Sequence, residues 1–302
     1  MKRLLASGYF LITMSAFGFS FKGILAKLAY SYGVDAMTLM LMRMTIALPF
    51  FLLALAVIDG KDALKVSARE LALYAFMGIA GIGLAMLFSL YALELIDATI
   101  ATIVVFTYPA MTVALLALFN GQRLTHRRLA PIAVTFAGLL LVVGMDKAAL
   151  ASVNLKGAAF GLVSAFCYAV YNALSERALK DRPPIRVITC CIVFQVAFFG
   201  GLFGWREYPR AADVWAIAAL QGILSGFMPF VFFTYGVKKI GVGKAVVIGS
   251  LGPVFTAVWA YFFLNERLMA LQVLGMFMVV SGIALLKLKT GAHEAKGDIY
   301  AE

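Results

Sequence analysis

Residues 98–119 read ATIATIVVFTYPAMTVALLALF, a stretch of 22 residues without one charged side chain. Residues 242–263 read VGKAVVIGSLGPVFTAVWAYFF and repeat that character with a single lysine. A helix needs about 20 predominantly apolar residues to cross the hydrocarbon core of a bilayer, and both stretches are long enough. They predict transmembrane helices, and the fold of the chain can be worked out from them.

The composition extends this prediction to nearly the whole chain. Of the 302 residues, 63% are hydrophobic and 14% are charged, and the mean hydropathy is +0.96. A soluble domain of this length needs more charged surface than that. The sequence therefore predicts an all-α integral membrane protein with ten transmembrane helices. The predicted spans are 4–26, 38–58, 71–93, 98–119, 129–145, 156–174, 186–205, 213–236, 242–263 and 268–287.

The lysine and arginine residues orient these spans. The breaks on the side of the N-terminus carry 18 of them, and the breaks on the opposite side carry 5. Because cytoplasmic loops are enriched in these residues, both termini are predicted to be cytoplasmic, with the protein in the cell inner membrane. The net charge of +11 is spread over short clusters between apolar runs, so it indicates a lipid bilayer and not nucleic acid as the partner.

The two opening stretches belong to an internal repeat. A shift of 144 residues places Pro109 on Pro253, and a shift of 149 residues places 15–17 on 164–166, both of which read SAF. Each unit has five predicted helices, an odd number, so the second unit must enter the membrane from the opposite side. Inverted repeats are typical of transporters that alternate between two open states. The predicted units are a first five-helix repeat at 1–147, a second, inverted repeat at 148–289 and a cytoplasmic tail at 290–302.

Several residues near the end of each unit carry a family resemblance. They are Gly252-Pro253, Leu264-Asn265-Glu266-Arg267-Leu268, Gln272, Gly275 and Ser281-Gly282 in the second unit, and Tyr108-Pro109, Gln122-Arg123-Leu124 and Gly138 in the first. This pattern resembles the EamA-type carriers of the drug/metabolite transporter superfamily, and Arg43 resembles the arginine common in that family's second helix. Gln122 departs from the pattern, which would place an acid there. The resemblance implies ten helices in two repeats and export or exchange of amino acids, related metabolites or drugs.

Lys22 and Arg43 are the cations placed most deeply in the predicted spans. An ionisable side chain at membrane depth is costly and usually marks a functional site. The spans contain no deeply placed Asp or Glu, and the nearest acids, such as Glu94, lie at span ends. Two such cations favour a substrate that supplies an anion, for example a carboxylate, which Arg can bind at two points. The alternative is that Lys22 reaches interfacial water and Arg43 bonds only to helix carbonyls.

Polar and aromatic side chains inside the spans form a second set of candidates. Tyrosine and tryptophan combine an apolar body with a hydrogen-bonding tip, which suits a cavity for a metabolite, although packing between helices also explains each one. Gln195 lies at the centre of its span, and Tyr108 and Ser250 lie beside the repeated prolines. Tyr91, Asn172, Tyr235 and Trp259 complete the predicted binding set, and Tyr168, Tyr171 and Gln221 share its character.

Pro109 and Pro253 occupy equivalent positions in the repeat. Each removes a backbone hydrogen bond, so each is predicted to act as a hinge or to hold a static kink. The pairs Gly157/Gly161 and Gly222/Gly226 have the spacing that permits close approach of helices. Whether the protein is a monomer or a homodimer stays open.

Signals for other classes of protein are weak. The two histidines, His126 and His293, lie in a loop and the tail, with no paired carboxylates at membrane depth, so an enzyme is not expected. The three cysteines lack metal-ligand spacing, and neither a cofactor nor a metal is predicted. No segment resembles the selectivity filter of a channel.

The sequence predicts a secondary transporter that moves a small organic metabolite by alternating access. Export or exchange of amino acids or related carboxylated metabolites is the first interpretation, and a broad-specificity drug or organic-cation exporter is the alternative.

Overall fold

The fold was analysed in a computed structural model, which describes residues 7–60, 65–96, 98–119, 126–143, 154–205, 207–264 and 270–282. Within these residues every regular element is a helix, which confirms the predicted all-α class. The helices are α1 (Gly8–Ser31), α2 (Ala36–Ile58), α3 (Ala68–Leu95), α4 (Ala98–Val105), α5 (Tyr108–Phe119), α6 (His126–Val143), α7 (Leu155–Ala178), α8 (Pro184–Phe203), α9 (Ala212–Ile240), α10 (Val242–Gly249), α11 (Gly252–Leu264) and α12 (Ala270–Gly282).

Eight stretches of the described chain are long and apolar enough to cross a membrane. Six are the single helices α1, α2, α3, α7, α8 and α9, and two are the pairs α4–α5 and α10–α11. Shorter apolar helices occupy Ile132–Val142 and Ala270–Gly282. The protein is therefore a multi-pass membrane protein, and each predicted span overlaps one of these helices. The predicted tail and the last residues of the tenth predicted span lie outside the described residues.

Side-chain caps set where several of the helices begin. The Asp35 carboxylate accepts a hydrogen bond from the Thr38 amide at 3.0 Å at the start of α2. Ser67 and Glu70 form a reciprocal capping box at the start of α3, and Asn154 caps α7. Such caps satisfy amide groups that have no partner within the helix. They explain why these helices begin one to three residues before the predicted spans.

Two helix pairs in different halves of the chain make matching contacts. The Ser15 hydroxyl of α1 donates to the carbonyl of Pro229 in α9 at 2.8 Å. The Ser164 hydroxyl of α7 donates to the carbonyl of Ala85 in α3 at 2.6 Å. The 149-residue shift relates the two serines, and the 144-residue shift relates the two carbonyl residues. Helix α1 therefore packs on α9 as α7 packs on α3.

Close glycine contacts follow the same two shifts. A β-carbon on Gly8 of α1 would lie 2.6 Å from Ile240, and one on Gly157 of α7 would lie 2.7 Å from Ile96. Both distances are too short for real atoms, so each position needs glycine. A β-carbon on Gly161 would meet Val104 at 2.8 Å. The predicted close approach at Gly157 and Gly161 thus lies within the chain, where α7 meets α3 and α4.

Both halves also share two irregularities. Helix α3 contains a π-helical segment at Met77–Gly83, and α9 contains one at Ile223–Phe227. Helix α4 is separated from α5 at 106–107, and α10 from α11 at 250–251, again 144 residues apart. Pro109 and Pro253 are the second residues of α5 and α11, where a missing amide hydrogen costs no helical bond. Each proline therefore follows a break between two helices, where the sequence predicted a bend within one.

Candidate functional site

Arg43 is the most deeply buried charged side chain of the described residues, with 0% exposure. Its Nη2 atom donates to the carbonyl of Ser225, in the π segment of α9, at 2.7 Å. Among the described residues, its Nε and Nη1 atoms have no hydrogen-bond partner, although both are buried. Leaving a buried donor unpaired costs about 1–3 kcal/mol. Each of these two atoms shares an edge of the guanidinium with Nη2, and a carboxylate can bind at either edge.

A glycine directly before the π segment of α9 permits this contact. A β-carbon on Gly222 would lie 2.6 Å from the Arg43 carbonyl, so α2 and α9 cross with their backbones nearly touching. At the corresponding crossing in the other half, Gly78 of α3 lies directly against the carbonyl of Cys191 in α8. A neutral thiol thus stands where the first half has a guanidinium. The charge of the site belongs to one half alone.

Lys22 lies in α1, which also packs against α9, and is half-buried. Its Nζ atom donates to the hydroxyl of Ser89, in α3, at 3.0 Å, and it lies within Coulombic range of Arg43. The ion pairs found in the described part of the chain, Arg182–Glu70 and Arg186–Asp59, involve neither cation. Within the described residues, these two positive charges thus lie in the apolar part of the protein without a carboxylate partner.

A glutamine connects the two cations. The Gln221 Nε2 atom of α9 donates to the backbone carbonyl of Lys22 at 3.1 Å. The Ser225 hydroxyl donates to the Gln221 backbone carbonyl at 2.9 Å. The Ser225 backbone carbonyl in turn accepts a hydrogen bond from Arg43. We call Lys22, Arg43, Ser89, Gln221 and Ser225 the cationic centre.

Trp259 lies beside the cationic centre. Its indole Nε1 atom donates to the Ser20 hydroxyl at 3.0 Å, and its ring stacks on Phe21 with 5.4 Å between centroids. Because Ser20 and Phe21 directly precede Lys22 in α1, the indole lies next to the turn that carries the ammonium group. Of the predicted binding residues, Lys22 and Arg43 lie within Coulombic range of each other, and Trp259 contacts the two residues that precede Lys22.

Tyr108 and Ser250 belong to other clusters. The Tyr108 ring lies 4.9 Å from the Tyr168 ring, which stacks on Tyr171 at 5.8 Å. Ser250 lies in the break between α10 and α11 and lines a small, mostly apolar cavity together with Pro109 and Thr135. Neither set of contacts includes Lys22 or Arg43.

The remaining predicted residues are dispersed. Asn172 and Gln195 are fully buried, and both polar atoms of each amide lack a hydrogen-bond partner within the described residues. Tyr91 packs its ring 5.7 Å from Phe160, and Tyr235 is half-buried in the last two turns of α9. These four residues stay predicted members of the binding site.

Two members of the cationic centre could not be found from the sequence. Ser89 and Ser225 are ordinary serines in apolar helices, and only their neighbours in space give them a role. Gln221 shares the character of the predicted set, and Gly222/Gly226 indicated that α9 contacts another helix closely.

Lys27 also lies in α1, but its Nζ atom donates to the Leu93 carbonyl at 2.8 Å. Among the residues described, no three His, Cys, Asp or Glu side chains come together as metal ligands.

A helical bundle with many apolar spans and buried cations defines a class of membrane transport proteins, and comparison with known proteins identifies the family. The model of the EamA-like transporter family matches residues 6–144 and 155–288. The chain therefore belongs to the EamA-like transporter family.

Named relatives and a solved structure agree with this assignment. An uncharacterised transporter of Bacillus subtilis, YcbK, is 27% identical over 305 residues, 96% of each chain. The threonine/homoserine exporter RhtA of Salmonella typhimurium is 26% identical over 209 residues, 68% of each chain. One crystal structure superposes with a TM-score of 0.76 and 20% identity, covering 95% of this chain and 98% of the other, which supports the fold.

Proposed function

We propose that this protein is an inner-membrane secondary transporter that exports or exchanges amino acids or related carboxylated metabolites by alternating access. The observation that carries the proposal is Arg43, whose guanidinium is fully buried with two donor atoms unpaired within the described chain. A carboxylate would accept a hydrogen bond from one of these donors and neutralise one of the two charges of the cationic centre. An anionic substrate therefore explains an arrangement that is otherwise costly.

The matching contacts of the two halves support alternating access. The bonds of Ser15 and Ser164 to α9 and α3, the paired π segments and the paired helix breaks all follow the shifts found in the sequence. We interpret the chain as two inverted five-helix repeats with ten spans and cytoplasmic termini, in which α6 and α12 belong to the two shorter spans. Exchange of conformations between such halves opens a central site first to one side and then to the other.

The substrate class follows from charge and from one relative. RhtA is named as an exporter of threonine and homoserine, and each of these amino acids carries a carboxylate. The other relative described above, YcbK, is named only as an uncharacterised transporter. An organic cation would meet Lys22 and Arg43 as like charges in a medium of low dielectric constant, where repulsion is strong. We therefore place carboxylated metabolites before organic cations.

Counterflow in proteoliposomes tests this function. Vesicles loaded in turn with amino acids, organic acids and organic cations would be assayed for uptake of the corresponding labelled pool. We expect saturable counterflow with a carboxylate pool, and loss of at least about 90% of it in Lys22→Gln and Arg43→Gln, since removing a charge-assisted pair costs about 1.5–3 kcal/mol. Lys27→Gln, which removes a cation bonded to the Leu93 carbonyl, is the matched control. Counterflow of organic cations alone, or flux that does not saturate, would contradict the proposal.

A further inference from the structure

We infer that Gln221 is a specificity-determining residue that selects carboxylates bearing an N–H or O–H donor on the carbon next to the carboxyl group. The inference rests on the proposed function, because it assumes that Arg43 binds the carboxylate. The inference adds that the site recognises the substituent on the carbon next to the carboxyl group. A site of this kind binds α-amino and α-hydroxy acids in preference to simple carboxylic acids.

The orientation of the Gln221 amide is fixed by what it faces. Its nitrogen, Nε2, lies 3.1 Å from the backbone carbonyl oxygen of Lys22, which only accepts hydrogen bonds. The reverse orientation would set two acceptor oxygens against each other. The Oε1 atom must therefore point away from Lys22, and there it is buried without a donor among the described residues. An unpaired buried acceptor favours a ligand that donates to it.

The unpaired acceptor and the unpaired donors belong to residues that meet at one turn of α9. A β-carbon on Gly226 would lie 3.5 Å from the Gln221 backbone carbonyl oxygen and 3.6 Å from Arg43 Nη2. The turn that begins with Gln221 therefore contacts the Arg43 guanidinium, and Ser225 bonds to the Arg43 side chain and to the Gln221 backbone. Arg43 needs acceptors, which a carboxylate supplies, whereas Gln221 Oε1 needs a donor. A ligand that carries a carboxylate and a donor close to it would satisfy both residues.

The donor can be an α-ammonium group or an α-hydroxyl group, and Lys22 acts differently on the two. Its ammonium group lies in the same centre and repels a second ammonium group, while a hydroxyl group carries no charge. The chemistry shared by both sources is the donor itself. The experiment therefore includes an α-amino acid and an α-hydroxy acid with the same carbon skeleton.

The test uses three matched ligands on the purified full chain: leucine, 2-hydroxy-4-methylpentanoate and 4-methylpentanoate. Their dissociation constants would be measured by ligand-dependent thermal stabilisation, and the comparison would be repeated with alanine, lactate and propionate. In the wild type we expect at least one donor-bearing ligand of each trio to bind about tenfold more tightly than the ligand without a donor. In Gln221→Met the preference should fall below about threefold.

Gln272→Met is the control variant. Gln272 also donates its Nε2 atom to the carbonyl of a neighbouring helix, that of Val142 at 3.2 Å, and it lies in α12 away from the cationic centre. It should keep the preference of the wild type. If wild type binds all three ligands of each trio equally, the role of Gln221 is wrong while the carboxylate site stands. If none of the six binds, the proposed substrate class fails and the inference fails with it. Equal binding of the three ligands by the wild type would refute the role of Gln221 even if Gln221→Met does not fold.

Discussion

Replacing Gly222 with alanine tests the crossing that holds Arg43 in place. The added β-carbon would lie 2.6 Å from the Arg43 carbonyl oxygen, far inside van der Waals contact, and its position is fixed by the backbone, to which the oxygen belongs. Neither can turn away as a side chain does, so α2 and α9 must separate. Overpacking costs about 1–3 kcal/mol, and a backbone clash belongs at the upper end of that range. Separation of the helices also lengthens the contact of Arg43 with the Ser225 carbonyl.

The assay is thermal melting of the detergent-solubilised protein, followed by fluorescence-detected size exclusion. At roughly 2–4 °C per kcal/mol, Gly222→Ala should lower the melting temperature by about 6 °C or more. Gly78→Ala should do the same, because its β-carbon would meet the Cys191 carbonyl. The control is Gly201→Ala in α8, whose β-carbon would meet no atom within 4 Å and which should be neutral or stabilising by up to about 1 kcal/mol. Equal melting of Gly222→Ala and Gly201→Ala would refute the described crossing.

Three further predictions concern other contacts. Ser15→Ala and Ser164→Ala should each lower the free energy of unfolding by about 1 kcal/mol, because each removes one of two corresponding hydrogen bonds, to α9 and to α3. Thermal melting measures this, and a large effect of only one substitution would contradict the equivalence of the two helix pairs. Arg186→Gln should cost about 3–5 kcal/mol in the same assay, since it leaves the Asp59 carboxylate buried and without its partner; a shift no larger than that of an exposed lysine variant would contradict this. Trp259→Phe should leave counterflow saturable and raise the half-saturating concentration several-fold, because the ring is kept and the bond to Ser20 is lost; unchanged kinetics would remove the indole from the site.

The fold could be predicted from the sequence because membrane spans have a length and a composition that a reader can recognise. Every predicted span overlaps a described helix, and the two sequence shifts reappear as equivalent hydrogen bonds of Ser15 and Ser164. The breaks between helices at 106–107 and 250–251 were harder to predict from the sequence. Proline is compatible with a kink within one helix and with the first turn of a new helix, and only the backbone distinguishes them.

The site was predictable only where a residue is expensive to bury. Lys22 and Arg43 stood out because a charge at membrane depth requires a reason, whatever surrounds it. Ser89 and Ser225 carry no such signal, since a serine can satisfy itself on its own helix. Tyr91 and Tyr235 occupy equivalent positions in the repeat, and both stay predicted members of the site. Which neutral residues adjoin the cations depends on how helices pack, and that information is absent from their spacing.

Binding of a transported carboxylate to variants of Arg43 tests the central claim most directly. The labelled solute identified by counterflow would be titrated onto purified wild type, Arg43→Gln, Arg43→Lys and Lys27→Gln, each confirmed as folded by melting. We expect saturable binding in the wild type and Lys27→Gln, at least about tenfold weaker binding in Arg43→Gln, and an intermediate affinity in Arg43→Lys, which keeps the charge without the two-point fork. Equal affinity in all four proteins would show that the carboxylate binds elsewhere, and it would contradict the account of Arg43.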